Sequence, residues 1–273
     1  MIAEPGADPS FVALTAKISR DRGFGCASYK EKCLRRRIAV RMRATGAHSY
    51  DEYAKVLDRD AREYDRLLDA LTINVTKLFR NWDTYAAIRR TVIPALWELP
   101  VPELVIWSAG CSSGEEPYSL AVLFHDHAAA TGELGRLARV RIIGTDIDRD
   151  SLAAAERGAF PASAFADTPA DLRARYFSNA SPAVIDPAVR SLVRFERRDL
   201  LTEPPPASPA HLIVCRNVII YFDRSSQDRL FEGFHAALAP GGVLVLGKVE
   251  TVLGQARTLF APLRARDRIF QRA

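Results

Sequence analysis

The sequence lacks any apolar run close to the roughly eighteen residues that a membrane-spanning helix requires. The first ten residues contain acids and prolines without an apolar core, which argues against a signal peptide. The four cysteines form no Cys-x-x-Cys pair and accompany no histidine cluster, so we expect neither a disulfide framework nor a metal site. These absences favour a cytoplasmic protein without a metal.

Positive charge is present, but only in one part of the chain. The first 80 residues hold 16 Lys and Arg against 11 Asp and Glu, whereas the remainder holds 22 of each. Seven basic residues and one acid lie within residues 30–43, where Leu34, Ile38 and Met42 recur every four positions. This pattern predicts an amphipathic helix whose basic face contacts an acidic partner, with a merely solvated face as the alternative. Nucleic acid is disfavoured because few aromatic residues interleave with the basic ones.

The 273 residues are enough for a catalytic domain with a smaller attachment. The first part of the chain reads as helices with short breaks, and apolar β-type runs alternate with helical runs from about residue 85 onward. Such alternation predicts an α/β fold with a doubly wound, mostly parallel sheet. We therefore expect an all-α domain at 1–72 and an α/β domain at 73–273. An interruption near 160–198 predicts a small inserted β-subdomain, with a surface ornament as the alternative.

The most informative motif is the run WSAGCSSGEEPYS at residues 107–119. It follows an apolar β-type run at 104–106 and leads into a helical run. A strand, a turn of small residues and a helix together let a nucleotide-like ligand approach the backbone. Gly110 and Gly114 add the backbone freedom that such a turn requires.

A second strand-like run ends in Asp146. A carboxylate at this place can accept hydrogen bonds from both hydroxyls of a ligand ribose. The alternative role for Asp146 is the N-cap of a helix that starts near Ser151. Asp148 or Asp150 could fill that cap equally well, so the pattern favours the ligand role for Asp146.

Three further clusters carry polar residues: NVTKLFR at 74–80, RDLL at 198–201 and CRNVIIYF at 215–222. The first lies where the helical part meets the α/β part, and the other two follow strand-like runs. Ligands of open α/β sheets bind beyond the carboxyl ends of the strands. Together with the glycine turn and Asp146, these clusters therefore predict a single site.

With these motifs the sequence resembles the CheR family, S-adenosylmethionine-dependent methyltransferases that methylate glutamates of chemotaxis receptors. The resemblance covers nearly the whole length and is most specific at residues 108–119, 144–148 and 215–222. It implies a class I methyltransferase-like fold, a helical domain that engages the receptor and a β-subdomain that in some members binds a receptor C-terminal tether. The chain departs from the family pattern at Leu78, usually Phe, and at 247–250, where GKVE replaces the common GHSE.

The resemblance also implies the site residues. The expected S-adenosylmethionine-binding residues are Asn74, Thr76, Arg80, Ala109, Gly110, Glu116, Asp146, Asp199, Leu200, Arg216 and Asn217. Asp146 would hold the ribose, Asp199 and Leu200 would flank the adenine, and the others would lie against the rest of the cofactor. Taken alone, Glu116 could be a first-turn helix acid and Arg216 and Asn217 a strand-end cap and turn.

Two residues are expected to be catalytic. Arg80 would orient the incoming carboxylate, and Tyr221 would touch the methyl group or the carboxylate through its hydroxyl. A core aromatic with its hydroxyl at the rim is the alternative for Tyr221. The substrate-binding residues are expected on the basic helix, at Arg36, Arg37 and Arg41.

Other functions remain open at this point. One is an S-adenosylmethionine-binding regulatory module without transfer activity, and another is a methyltransferase of RNA or of a small molecule. A nicotinamide enzyme fits less well, because the glycines at 110 and 114 do not match the Gly-x-Gly-x-x-Gly spacing.

Overall fold

The computed structural model describes residues 8–72, 76–206 and 209–273. The chain divides into two compact units. The first, here called the helical unit, spans Met1–Ile73 and Tyr221–Gln227, and the second, the α/β unit, spans Asn74–Ile220 and Asp228–Ala273. Within the described ranges, no helix is both long and apolar enough to cross a bilayer.

The helical unit is built from α1 (Pro9–Arg22), α2 (Glu31–Thr45), α3 (Tyr50–Arg59) and α4 (Ala61–Leu71). Capping residues determine where several of these helices begin and end. The side chain of Ser49 accepts a hydrogen bond from the Glu52 N–H at the start of α3. Gly23 and Gly46 end α1 and α2 in the left-handed conformation that glycine adopts without strain. The apolar faces of the four helices share one core, which includes Leu14, Ile18, Ile38, Tyr53 and Leu67.

The α/β unit contains nine strands and seven α-helices among its described residues. The strands are β1 (Leu104–Ala109), β2 (Val140–Asp146), β3 (Ala159–Phe160), β4 (Ala183–Val184), β5 (Val193–Arg197), β6 (Ala210–Cys215), β7 (Leu238–Leu246), β8 (Phe260–Arg264) and β9 (Ile269–Arg272). The helices are α5 (Trp82–Ala87), α6 (Ile93–Trp97), α7 (Glu115–Thr131), α8 (Arg149–Arg157), α9 (Ala170–Tyr176), α10 (Pro187–Arg190) and α11 (Arg224–Ala237), whose first turn belongs to the helical unit. A π-helical turn, Ile88–Val92, joins α5 to α6.

Seven strands form one sheet in the order β5-β2-β1-β6-β7-β9-β8. The first five run parallel, and β9 and β8 add two antiparallel pairings at one side. Every residue of β1 and β6 is buried, which requires cover on both faces of the sheet. The predicted mostly parallel α/β sheet is confirmed, and its parallel strands place the ends of β1, β2, β6 and β7 at one edge.

The predicted interruption near 160–198 contains a separate two-stranded antiparallel sheet, in which β3 pairs with β4. The predicted bounds were too wide at the C-terminal side. The run that follows, β5, pairs in parallel with β2 and is an edge strand of the main sheet. The inserted β-subdomain therefore ends before β5, because β5 forms hydrogen bonds with β2. The apolar pattern of residues 192–195 alone fits both a strand of the subdomain and a strand of the main sheet.

Candidate functional site

The loop after β1 folds back onto the end of β2. The N–H groups of Gly110 and Cys111 both donate to the carbonyl of Thr145, at 2.8 and 2.9 Å. Gly110 has a φ of 77°, and a Cβ there would lie 2.5 Å from the Val218 side chain. Glycine is therefore required at position 110 for its conformation and for the space it leaves.

Asp146, the last residue of β2, is the best-defined acceptor at this edge. Its side chain is buried, and its two carboxylate oxygens accept hydrogen bonds from the N–H groups of Ser112 (2.8 Å) and Asp148 (3.0 Å). Burial raises the pKa of Asp146, and these two N–H bonds oppose that effect. Each oxygen keeps acceptor capacity beyond the one bond it makes. The N-cap of α8 is Asp148, which accepts from the Asp150 N–H, so the alternative cap role for Asp146 is wrong.

Glu116, in the first turn of α7, is buried against two partners. The hydroxyl of Ser108 donates to its Oε1 at 2.9 Å, and Arg216 lies 3.9 Å from its Oε2. Burial raises the pKa of Glu116 to about 7, and the positive charge of Arg216 limits the rise. Glu116 is therefore more than a first-turn helix acid, because it is one half of a buried charge pair across the edge of the sheet.

Arg216 connects this pair to the turn that carries Arg80. Its guanidinium donates to the carbonyl of Arg80 at 2.8 Å and to the side chain of Asn81 at 3.2 Å, and it lies over the Tyr85 ring. The structure thus brings the predicted residues Arg80, Glu116 and Arg216 together.

The Arg80 turn is held by its neighbours on both sides. Phe79 and Asn81 adopt φ values of 53° and 60°, a conformation that non-glycine residues seldom adopt without outside support. The Phe79 N–H donates to the Ser119 hydroxyl at 2.8 Å, and the Asn81 N–H donates to Asp167 at 2.8 Å. Leu78, where Phe is usual in the family, is fully buried in the core, a position that an aliphatic side chain can also fill.

Glu250, for which the sequence predicts no role, joins two loops at the carboxyl edge. Its buried carboxylate accepts N–H bonds from Asn217 (2.8 Å), Gly247 (2.7 Å) and Ile220 (3.3 Å). It therefore joins the loops that follow β6 and β7. Lys248 and Val249, the residues that depart from the family pattern, are the exposed middle of this turn. The departure leaves the two buried ends, Gly247 and Glu250, in place.

The site fits an adenosine-type ligand on two observations besides Asp146. Ser112 Oγ and Asn217 Oδ1 are buried polar atoms without a hydrogen-bond partner in the described part of the chain. Groups of this kind are usually satisfied by a ligand or by water. Both belong to loops at the carboxyl edge, Ser112 after β1 and Asn217 after β6.

The structure shows the positions of other residues that are predicted to bind the cofactor, but the contacts described above do not involve their side chains. Ala109 is the buried last residue of β1, and Thr76 and Leu200 are partly exposed. Asp199 accepts the Leu201 N–H at 2.9 Å in the turn after β5. Asn74 lies outside the described residues.

Two of the three arginines predicted to bind substrate have structural partners within the helical unit. Arg41 makes a two-bond ion pair with the buried Glu63, at 2.9 and 2.7 Å. Arg37 donates to the Ala70 carbonyl at 2.7 Å and lies over the ring of Tyr221. Arg36 is exposed, and its side chain makes no recorded ion pair with the described residues. Tyr221, predicted to be catalytic, is thus grouped with the helical unit.

Comparison with known proteins identifies both units. Residues 9–72 match the family described as "CheR methyltransferase, all-alpha domain", and residues 74–269 match "CheR methyltransferase, SAM binding domain". The chain belongs to the CheR methyltransferase family. S-adenosylmethionine is accordingly its cofactor, and the protein is a methyltransferase of the chemotaxis type.

Individual relatives of this CheR chain are similar over most of its length. A "Chemotaxis protein methyltransferase" of Listeria innocua is 32% identical over 92% of this chain and 94% of its own. The "Putative methyltransferase Cher3" of Pseudomonas putida is 32% identical over the full length of both. An uncharacterized 104.1 kDa protein of Rhodobacter capsulatus is 35% identical over 89% of this chain, which spans only 25% of that protein.

The ion pair of Arg41 leads to a first prediction, on stability. Arg41→Ala should lower the free energy of unfolding at neutral pH by about 2–3 kcal/mol, because it removes the two-bond ion pair of the buried Glu63 and leaves it the Tyr53 hydroxyl and a 3.7 Å contact to Arg66. Arg36→Ala, the matched control on the same helix, should change it by less than about 0.5 kcal/mol. Urea denaturation of both variants measures the difference, and equal effects would contradict the structural role of Arg41.

The contribution of the Arg41–Glu63 ion pair to the free energy of unfolding should depend on pH. Burial alone would raise the pKa of Glu63, but the bonds from Arg41 and Tyr53 outweigh it and leave the pKa lowered. A carboxyl whose pKa is lower in the folded state stabilises the protein above the unfolded pKa and loses that contribution as the pH falls. The gap between Arg41→Ala and wild type should therefore narrow in acid.

Proposed function

We propose that this methyltransferase acts on glutamate side-chain carboxylates of chemotaxis receptors and forms methyl esters that tune receptor signalling. The observation that carries the proposal is an exposed basic stripe on α2, formed by Lys32, Arg36 and Arg43 with the exposed Val40 between them. These positions lie on one face of a helix. Such a stripe is complementary to an acidic helical surface, and the relatives' names place similar proteins in chemotaxis.

Methyl transfer to a carboxylate requires little chemical assistance from the protein. S-adenosylmethionine, when bound, supplies a methyl group that is already activated. A glutamate carboxylate, with a reference pKa near 4.3, is already ionised at neutral pH, so no residue has to remove a proton. The protein's task is to orient the carboxylate and to exclude water.

Arg80 is our candidate for orienting the incoming carboxylate. Its turn is fixed at the carboxyl edge by Arg216, Ser119 and Asp167. A guanidinium fork can hold one face of a carboxylate and leave the attacking lone pair free. Tyr221 is our candidate for a hydroxyl contact to the methyl group or the carboxylate. Asp146 would accept from the ribose hydroxyls, and Asn74, Thr76, Ala109, Asp199 and Leu200 would complete the cofactor contacts.

The proposal is tested by transfer of labelled methyl from S-adenosylmethionine to the acidic cytoplasmic fragment of a receptor. Base-labile label on the fragment is expected, because methyl esters hydrolyse in base. Arg80→Ala should lower kcat/KM by about a hundredfold or more, as loss of an orienting ionic contact predicts. Thermal denaturation checks that the variant folds, and calorimetry of S-adenosylmethionine binding separates any loss of cofactor affinity from the loss of transfer. Absence of label while the cofactor still binds would contradict the proposal and favour a regulatory module or another substrate.

A further prediction concerns the basic stripe. Replacing Lys32, Arg36 and Arg43 together by Ala should raise KM for the receptor fragment about tenfold or more and leave S-adenosylmethionine affinity unchanged. The effect should shrink as salt is added, because exposed charges are screened. A triple variant of exposed bases on α3 and α4, namely Lys55, Arg59 and Arg62, removes the same charge and should leave KM near wild type. Equal effects of the two triples would show that net charge, not this stripe, governs docking.

The small β3–β4 sheet is a separate candidate for a receptor contact. Its strand β4 exposes Val184, a large apolar side chain. We propose this sheet as the place where a receptor C-terminal tether would bind, by analogy with the family members that use one. Loss of the tether from the receptor would then raise KM without changing kcat.

A further inference from the structure

The α/β unit contains a second concave surface, which the cofactor site does not use. This groove, called here the hairpin groove, has a volume of about 740 Å³ and lies between α5 and the turn that joins β8 to β9. Its volume is within the range of ligand-binding clefts. Trp82 and Leu263 contribute apolar surface, and Leu263 is 47% exposed.

The groove is strongly basic. Five cations line it, namely Arg90, Lys248, Arg264, Arg266 and Arg268, against two acids, Asp83 and Asp267. Residues 81–273 as a whole are balanced in charge, so this surface is a local concentration of positive charge.

Among the described residues, three of the five cations make no ion pair within the groove, and one of these three, Arg268, donates instead to the Lys248 carbonyl. Arg264 pairs with Asp267 at 2.8 Å, and Lys248 pairs with Asp83 at 3.4 Å. The side chains of Arg90 and Arg266 make no ion pair or hydrogen bond recorded among the described residues, and both are exposed. Two unpaired guanidinium groups beside apolar surface form a surface that an anionic, partly apolar ligand would complement.

The groove is also continuous with the loops of the candidate site. Lys248 follows Gly247, whose N–H is held by Glu250, and Arg268 donates to the Lys248 carbonyl at 3.1 Å. Trp82 follows Asn81, which accepts from Arg216. A ligand in the groove would therefore lie next to both loops that frame the carboxyl edge.

We propose that the hairpin groove binds an acidic segment of the protein substrate that also carries apolar side chains. An acidic peptide suits the groove because it spaces its carboxylates along the chain and can place apolar side chains between them, beside Trp82 and Leu263. The segment contacts Arg90 and Arg266 through its carboxylates and Trp82 and Leu263 through its apolar side chains. The identity of this occupant as substrate rests on the proposed function, whereas binding of an acidic peptide does not.

The test uses the full chain and a short fluorescein-labelled peptide of Glu and Leu, followed by fluorescence anisotropy. Arg90→Ala combined with Arg266→Ala should weaken peptide binding about tenfold, since each exposed charge pair contributes modestly. The matched control combines Arg157→Ala with Arg257→Ala, two exposed arginines outside the groove, and should bind like wild type. The same peptide with Gln for Glu should bind weakly to all three proteins.

Methyl transfer to the receptor fragment separates this inference from the proposed function. The groove variant should raise KM for the fragment by a similar factor at constant kcat. Peptide binding that depends on the groove, without any receptor methylation, would refute the proposed substrate and leave the groove as a peptide site. The inference would be overturned if the wild-type protein methylated the receptor fragment and the groove variant bound the peptide and the fragment as well as wild type does. Displacement of the peptide by RNA at equal affinity, or equal weakening by the control variant, would also overturn it.

Discussion

Asp146→Ala should reduce the affinity for S-adenosylmethionine by about a hundredfold or more. A buried carboxylate that accepts from two ribose hydroxyls contributes charge-assisted hydrogen bonds worth about 1.5–3 kcal/mol each. The substitution also leaves the N–H groups of Ser112 and Asp148 without their present acceptor. Titration calorimetry measures the affinity, and thermal denaturation of the free variant checks that it folds.

Asp148→Ala is the matched control for Asp146, because the two acids lie two residues apart and only Asp148 caps α8. Losing an N-cap costs about 1 kcal/mol of stability, so this variant should unfold earlier. Its affinity for S-adenosylmethionine should stay close to that of wild type. If both variants lost affinity equally, the division of labour between the cap and the ribose acceptor would be incorrect.

Arg216→Ala should destabilise the protein, and the loss should grow with pH. Removing the arginine leaves Glu116 buried without its partner and deprives the Arg80 turn of two hydrogen bonds. We expect a loss of about 4 kcal/mol at about pH 8 and roughly half of that at about pH 5.5.

The raised pKa of Glu116 explains why the loss of stability in Arg216→Ala should grow with pH. Burial already raises its pKa to about 7, with Arg216 and Arg80 lowering it and Glu250 raising it. An acid whose folded pKa is raised binds a proton more tightly in the folded state, so stability falls as the pH rises from the unfolded pKa to the folded one. Without Arg216 the pKa rises further, and the neutral form, which tolerates burial, persists to higher pH.

The measurement is the free energy of unfolding by urea across this pH range. The double variant Glu116→Gln with Arg216→Ala should show a flatter pH dependence than Arg216→Ala alone, because it contains no titrating carboxyl at position 116. If Arg216→Ala lowered the free energy of unfolding equally at every pH, the hydrogen bonds of Arg216, rather than its charge, would account for its contribution to stability.

The sequence predicted most of the sheet and the places where its polar residues would meet. The glycine turn and the strand ending in Asp146 are local patterns, and local patterns survive into structure because turn and strand chemistry act over a few residues. The rule that ligands bind at the carboxyl edge then brought Gly110, Asp146 and Asn217 into one prediction, and the resemblance to the CheR family added Glu116 and Arg216.

What the sequence did not reveal are contacts between residues that are distant in the chain. Arg41 and Glu63 belong to different helices, so the basic run gave no sign that one of its arginines had a structural partner. Glu250 accepts N–H bonds from two loops, one of them more than thirty residues away in the chain, and an isolated acid after a strand carries no signal of that. Such pairings depend on register and helix packing, which the local pattern does not specify.

The close approach of Gly110 to Val218 sets a limit on how the chain can vary. With 2.5 Å between a Cβ at position 110 and the Val218 side chain, the loops after β1 and β6 are in steric contact. Position 110 should therefore remain glycine among relatives, with side chains at 218 restricted to those that fit against it. For the same reason, we expect a shift of the loop after β1 to displace the loop after β6.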